Sequence, residues 1–123
     1  MGYGADVREG LRLPSRELRH AIPEVYAGYK QLHDAALADG AVDAATKELI
    51  ALAIAVTREC DGCVTAHARS AARRGVTAEE VAEAMGVAIA MNGGPGTVWA
   101  PRAYAAFEEF AAASGPGVSR PGS

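Results

Sequence analysis

The sequence predicts an all-α protein, a single compact domain of about six helices with short connections. No stretch alternates apolar and polar residues with a period of two, which a strand with one buried face would do. Several stretches instead repeat apolar residues at helical spacing, and glycine or proline separates them. With 123 residues, the chain is one domain's worth and can bury about two-thirds of its unfolded surface.

Composition limits the partners. Half of the residues are hydrophobic but only 6% are aromatic, so alanine-rich helices must approach closely and leave wide apolar faces. Such faces predict a homo-oligomer. The net charge is −3 and no basic run exceeds Arg73-Arg74, which argues against nucleic acid and anionic membranes as partners. Small molecules or proteins are expected instead.

Neither a membrane span nor a secretory leader is predicted. No apolar run approaches the ~20 residues of a transmembrane helix, and the first ten residues lack a signal-peptide core. We therefore expect a cytoplasmic protein. In that compartment paired cysteines tend to be catalytic or metal-binding.

The first part of the chain is predicted to be only partly helical. Residues 1–13 mix polarities and contain several glycines, which predicts a loosely ordered N-terminal arm. Pro14 opens a short helix that ends before Pro23, because the residue before a proline disfavours the helical region. From Pro23 an amphipathic helix runs towards Gly40.

Three polar ring side chains of this second helix, Tyr26, Tyr29 and His33, come close to a single face. They could line a pocket over the cysteines. Packing or surface exposure is the more common fate of such a stripe, and it is the outcome that we expect.

The central helix is predicted to be buried on nearly all sides, because Leu49 to Val56 is apolar without interruption. Asp43 is its expected N-cap. Glu48, at the front edge of the apolar run, has two interpretations that periodicity leaves open. It is either a solvated residue that complements the helix dipole, or a carboxylate beside an apolar site that exchanges protons.

The two cysteines of the chain follow at once. Cys60-Asp61-Gly62-Cys63 is predicted to turn the chain into a second helix, whose N-terminal amides favour a thiolate. Cys60 and Cys63 are three residues apart, so a disulfide between them is sterically reasonable. Cys63 and His67 are four apart, which lets the imidazole act on the thiol.

Two other roles are possible for these residues, a structural disulfide and a zinc site. A stabilising disulfide across so short a loop would contribute only about 2 kcal/mol. Structural zinc would take Cys60, Cys63 and His67 as ligands and needs a fourth from Glu48, His33 or His20. No second C-x-x-C motif exists, so a redox or nucleophilic thiol pair is favoured, with no metal and no cofactor.

The helices in the last third of the chain are predicted from the residues that begin and end them. Thr77 to Glu80 forms a capping box that opens a helix, and Asn92 to Gly96 ends it. A final helix covers roughly residues 101–113, so residues 14–113 form the helical domain. The glycine- and proline-rich residues 114–123 predict a disordered tail.

These motifs together resemble a known family. Glu48, then eleven residues, then Cys60-x-x-Cys63-x-x-x-His67 is similar to the core motif of the carboxymuconolactone decarboxylase superfamily, in its alkylhydroperoxidase-D-like branch. The segments ADGAVDAATKELIALA and GVTAEEVAEAM extend the resemblance to about residues 20–110.

The resemblance implies a helical fold and an antioxidant peroxidase or disulfide oxidoreductase. It implies that Cys63 attacks the peroxide and becomes a sulfenic acid, which Cys60 captures as a disulfide. Cys60, nearer the helix tip and so expected to be more accessible, would meet the external reductant. That reductant would be a thiol or dithiol, such as a lipoyl or thioredoxin-like protein. His67 and Glu48 would move protons, and the oligomer would be a trimer or hexamer.

Two alternatives remain beside this interpretation. One is a lyase similar to the decarboxylase that names the superfamily, and the other is a zinc-stabilised module without catalysis. A departure from the family pattern also matters: Gly62 stands where the best-known alkylhydroperoxidases carry a histidine. We therefore expect weaker peroxide turnover than in those relatives, with the thiol–disulfide step intact.

Overall fold

The computed structural model describes residues 2–114 and contains six helices in that range. They are α1 (Tyr3–Ala21), α2 (Pro23–Ala36), α3 (Ala44–Thr57), α4 (Asp61–Arg73), α5 (Ala78–Asn92) and α6 (Gly94–Ala113). No strand occurs among the described residues. The predicted all-α class with about six helices is confirmed.

Helices α3 to α6 pack on one another around a single core, and α1 lies across α4 and α6. Leu52, Val64 and Val81 are completely buried at its centre. Small residues let the helices approach closely, as the composition predicts. At Gly96 of α6, a Cβ atom would lie 2.9 Å from the Cα atom of Ile89 on α5, so only glycine fits this crossing.

Local sequence signals place two helix starts correctly. The carboxylate of Asp43 accepts a hydrogen bond of 2.7 Å from the backbone N–H of Thr46, and this caps α3. At α5, Thr77 and Glu80 form both hydrogen bonds of a capping box. The central helix therefore begins at a fixed point, and Glu48 takes a fixed position on its first turns.

The predicted loose arm of residues 1–13 is wrong. Residues 3–13 belong to α1, which runs unbroken from Tyr3 through Pro14 to Ala21. Its N-terminus is held by the carboxylate of Glu109 on α6, which accepts hydrogen bonds of 2.9 Å from the backbone N–H groups of Gly4 and Ala5. This capping group lies about a hundred residues away in sequence, so a local pattern could not predict it.

The last helix is also longer than predicted. It begins at Gly94 instead of near residue 101, and Pro101 lies inside it. The only break between α5 and α6 is Gly93, whose φ of 68° suits a glycine. Pro95, in the first turn, opens the helix because its missing N–H has no intrahelical partner there. Of the tail predicted for residues 114–123, only Ser114, the C-cap of α6, lies within the described residues.

Helix α2 stands away from the bundle. None of its residues is buried; among the described helices its backbone lies close to that of α1 alone, and one side chain, His33, stacks on His67 of α4. Val25, Tyr29 and Leu32 on this helix are each more than 60% exposed. No helix in residues 2–114 is both long and apolar enough to cross a membrane.

Candidate redox site

Cys60 and Cys63 form a disulfide at the N-terminus of α4, with their Cα atoms 5.2 Å apart. Glu59, with φ at 53°, reverses the chain after α3, and the N–H of Cys60 then donates to the carbonyl of Ala55. Cys60 is the N-cap of α4, and its sulfur accepts the backbone N–H of Cys63 at 3.2 Å. The predicted turn into a second helix is confirmed, and the helix amides favour negative charge at Cys60.

The two cysteines differ in accessibility, but in the opposite sense to the one expected from sequence. Cys63 is exposed, whereas Cys60 is only partly exposed. The chain reversal at Glu59 ties Cys60 back against the end of α3, while Cys63 lies one turn further along α4. An external molecule therefore meets Cys63 first.

Two side chains of helix α1 donate hydrogen bonds to the disulfide turn. The hydroxyl of Tyr3 donates a hydrogen bond to the carboxylate of Asp61, and Nη1 of Arg8 donates to the carbonyl of Gly62 at 3.3 Å. Burial, together with the hydrogen bond to Asp61, raises the pKa of Tyr3 well above its usual range. Neither α1 residue is predictable from the local sequence, because each contacts the turn from more than fifty residues away.

His67 and Glu48 form the second part of the site. Nδ1 of His67 lies 2.7 Å from Oε1 of Glu48, whose side chain is only 3% exposed. When Glu48 is ionised, Nδ1 bears the ring hydrogen and donates this hydrogen bond to the carboxylate. Nε2 then stays available to a substrate or a thiol. Of the two interpretations of Glu48, the structure therefore supports the buried carboxylate rather than the solvated one.

The disulfide opens into a cavity of about 870 Å³ between α1, α2 and α4. We call it the disulfide cavity; it is lined by Arg8, Leu11, Ser15, Arg19, Pro23, Tyr26, Ala27, Tyr29, Lys30, His33, Cys60, Gly62, Cys63, Ala66 and His67. Three of the four residues predicted for catalysis meet here, and Glu48 stands behind His67. His20 does not line this cavity.

Tyr26, Tyr29 and His33 also line the disulfide cavity, although packing or plain exposure was the expected outcome. The rings of His33 and His67 stack with centroids 5.7 Å apart, and Tyr29 lies 5.9 Å from His33. The helical stripe alone could not reveal this role, because it depends on the way α2 stands over α4.

Glu48 itself is reached from the other side. It lines a separate cavity of about 410 Å³ together with His33, Asp34, Asp39 and other residues. The Glu48–His67 pair therefore connects this second opening to the disulfide cavity. Such a pair can pass a proton from solvent to the cysteines without opening the site.

The described residues offer no evident metal site. Within residues 2–114, no three His, Cys, Asp or Glu side chains are grouped so as to hold a metal ion. The ligands that the zinc alternative requires are instead engaged with one another, Cys60 with Cys63 and His67 with Glu48.

Comparison with known proteins identifies the family. The profile of the carboxymuconolactone decarboxylase family matches residues 23–109. An uncharacterised protein of Cupriavidus necator is 42% identical over 91 residues, which are 74% of this chain and 80% of the relative. Uncharacterised protein 4 in the cox locus of Paracoccus denitrificans is 39% identical over 94 residues, 76% of this chain and 85% of the relative.

A solved structure agrees with this match. The crystal structure of an apo carboxymuconolactone decarboxylase family protein from Legionella pneumophila is 38% identical and superposes with a TM-score of 0.85. The similarity covers 88% of this chain and 96% of that one. The protein therefore belongs to the carboxymuconolactone decarboxylase family, which includes decarboxylases and alkylhydroperoxidases, and the sequence-based resemblance is confirmed at that level.

Proposed function

We propose that the protein is a thiol-dependent peroxidase and disulfide oxidoreductase in which Cys60 and Cys63 cycle between dithiol and disulfide. The observation that carries this proposal is the disulfide itself. It lies at the mouth of a cavity that also holds His67, and His67 is oriented by a buried carboxylate. A purely structural disulfide would need neither the cavity nor the imidazole.

Cys63 is the residue that attacks the peroxide. It is the more exposed cysteine and lies in the first turn of α4, where the helix amides favour its thiolate. Its sulfur bonds to the distal oxygen of the hydroperoxide and the O–O bond breaks. This step leaves a sulfenic acid on Cys63 and an alkoxide that requires a proton.

His67 moves that proton: Nε2 accepts it from the Cys63 thiol as the thiolate forms and then gives it to the alkoxide. The imidazole is four residues after Cys63 and shares the disulfide cavity with it, while Glu48 stabilises the ring in one orientation. After the alcohol leaves, Nε2 is free again and Nδ1 is still bonded to Glu48, so the pair is back in its starting state.

Cys60 completes the oxidative half of the cycle. Its thiolate, held at the N-cap, attacks the sulfur of Cys63 and releases water, which restores the disulfide seen in the structure. An external thiol or dithiol then reduces the disulfide. Because Cys63 is the more exposed of the two residues, we expect the mixed disulfide to form on it, whereas the sequence suggested Cys60.

The direct test is steady-state consumption of cumene hydroperoxide and hydrogen peroxide with dithiothreitol as reductant. The matched control is the Cys60→Ser/Cys63→Ser double variant, which keeps the size of both side chains. We expect turnover in the native protein and none above background in the control. Equal rates in the two proteins would refute the proposal.

The same preparations separate the two alternatives. If the double serine variant decarboxylates 4-carboxymuconolactone, the protein is a lyase that does not need its cysteines. If protein purified without chelator carries about one zinc per chain and loses helix on chelation, the zinc-stabilised module is supported.

Gly62 gives a prediction about the strength of the peroxidase. A Cβ atom at this position would lie 3.1 Å from Cδ1 of Leu11, a partly exposed side chain that can move aside. We expect Gly62→His to raise peroxide turnover about tenfold or more, because a general acid contributes about 10²–10⁴-fold and His67 already supplies part of it. Gly62→Ala controls for the added bulk. An unchanged rate in a folded Gly62→His protein would mean that the missing histidine does not limit turnover.

We also propose that the protein is a homo-oligomer. Helix α2 packs its backbone against α1 alone and exposes Val25, Tyr29 and Leu32, and a helix of 14 residues with so few contacts is marginal in water. A second copy would cover this face and, because Tyr29 lines the disulfide cavity, would also narrow the site. Light scattering should give a trimer or hexamer. A monomeric mass at micromolar concentration would contradict this.

A further inference from the structure

The disulfide cavity carries positive charge. Arg8 and Arg19 line it from α1, and Lys30 lines it from α2. Among the described residues no Asp or Glu side chain lines this cavity, although the chain as a whole has a net charge of −3. The site and the molecule therefore differ in sign, and the site would attract an anion that the rest of the surface repels.

A second cavity, which is also lined by α1, carries further positive charge. It has a volume of about 700 Å³, and we call it the arginine cavity because its walls carry Arg8, Arg12, Arg16, Arg19 and Arg69 with Glu9 as the one carboxylate. Arg8 and Arg19 line both cavities. These two side chains therefore lie where a ligand of either cavity would meet them.

Most of this charge has no counterion in the protein. Two of the cations are already paired, Arg12 with Glu9 at 3.3 Å and Lys30 with Asp34 at 2.6 Å. No salt bridge within residues 2–114 includes Arg8, Arg19 or Arg69. Burial, followed by repulsion from Arg73 and Arg8, lowers the pKa of Arg69.

The position of Arg8 relates this charge to the chemistry. Nη1 of Arg8 lies 3.3 Å from the carbonyl oxygen of Gly62, the residue of the disulfide turn that directly precedes Cys63. A guanidinium in this place can bind an oxyanion while the rest of the molecule reaches the sulfur. The structure shows the oxidised pair, and the molecule that reacts with a disulfide is a thiolate.

We propose that the reductant of the Cys60–Cys63 disulfide is a small dithiol bearing an oxyanion, such as a carboxylate or a sulfonate, that Arg8 and Arg19 bind. The inference rests on the proposed function and adds the chemical class of the electron donor. One thiolate of the donor bonds to the sulfur of Cys63, and the Cys60–Cys63 bond breaks. Cys60 leaves as a thiolate, stabilised by the N-terminus of α4, and takes up a proton.

The second thiol of the donor then attacks the donor's own sulfur in the mixed disulfide and releases Cys63, which also takes up a proton. The donor becomes a cyclic disulfide, and two electrons and two protons pass to the protein. No further oxidant or metal is needed.

Two dithiols of similar size that differ in charge test this inference. Dihydrolipoate carries a carboxylate where dihydrolipoamide carries a neutral amide, and each can close a five-membered cyclic disulfide. The second-order rate constant for reduction of the oxidised protein is measured with each, corrected for the thiolate fraction. The quantity of interest is the ratio of the anionic to the neutral rate constant.

We expect this ratio to exceed one in the native protein and to fall as salt is added, because ions screen exposed charges. Arg19→Gln and Arg8→Gln should each lower it about two- to fivefold, the effect of one exposed charge pair. Arg19 is exposed and makes no hydrogen bond to the turn, so its variant keeps the test valid if Arg8→Gln fails to fold. Arg74→Gln, on an exposed residue that lines neither of these two cavities, should leave the ratio unchanged.

The outcomes separate this inference from the function on which it rests. Equal rates with both dithiols, or a ratio insensitive to both arginine variants, would overturn the anionic donor while leaving thiol–disulfide chemistry in place. If neither dithiol reduces the disulfide, both this inference and the proposed function fail.

Discussion

Replacing Cys63 with serine is expected to abolish peroxide turnover, with a loss of about 10³-fold or more, the scale seen when a covalent nucleophile is removed. Serine preserves the size of the side chain at the first turn of α4 but gives no thiolate at neutral pH. Cys60 lines the same cavity but is the less exposed of the two residues, so we do not expect it to attack peroxide in place of Cys63.

Cys60→Ser is the matched control for this experiment. It should still consume about one equivalent of peroxide rapidly, because Cys63 remains. Turnover should then slow, because the sulfenic acid must wait for an external thiol instead of Cys60. The reverse pattern, with Cys63→Ser active and Cys60→Ser inactive, would exchange the roles of the two cysteines.

Replacing His67 with asparagine should lower peroxide turnover by about 10²–10⁴-fold, which is the usual contribution of a general acid. Asparagine can keep a hydrogen bond to Glu48 but cannot deliver a proton to the leaving alkoxide. The loss should be larger with alkyl hydroperoxides whose alcohols are weaker acids, because their leaving groups need the proton more.

His20→Asn is the control, since His20 is exposed and lines neither cavity. It should behave as the native protein does. If His67→Asn retained native turnover while remaining folded, the Glu48–His67 pair would be a structural contact, and the proton would have to come from water.

Features written in adjacent residues were predictable from the sequence. The N-cap at Asp43, the capping box at Thr77 and the disulfide turn all depend on side chains within three or four positions of one another. The motif spacing also placed Cys63 and His67 together. These features needed no knowledge of how the helices pack.

Features that depend on distant contacts were not predictable in this way. Helix α1 is ordered to its start because Glu109 caps it from the opposite end of the chain, and no pattern in residues 1–13 announces that partner. The same helix brings Arg8 and Arg19 to the cysteines. The sequence therefore predicted the cysteines and the histidine of the site but not its arginines.

The prediction that Cys60 is the more accessible cysteine was wrong for a related reason. Proximity to a helix tip suggested that Cys60 is open, but the left-handed residue Glu59 turns it back against Ala55. A residue other than glycine with positive φ is uncommon, and nothing in the adjacent sequence predicts one here. The correction moves the point of attack by an external thiol to Cys63.

The central claim is that Cys60 and Cys63 form a dithiol that a peroxide oxidises directly. It is tested most directly by mixing fully reduced protein, free of small thiols, with one equivalent of cumene hydroperoxide and following both partners. The account predicts that each chain loses two thiols, gains a Cys60–Cys63 disulfide by peptide mass, and yields one equivalent of alcohol. Peroxide that persists while both thiols stay reduced would contradict it.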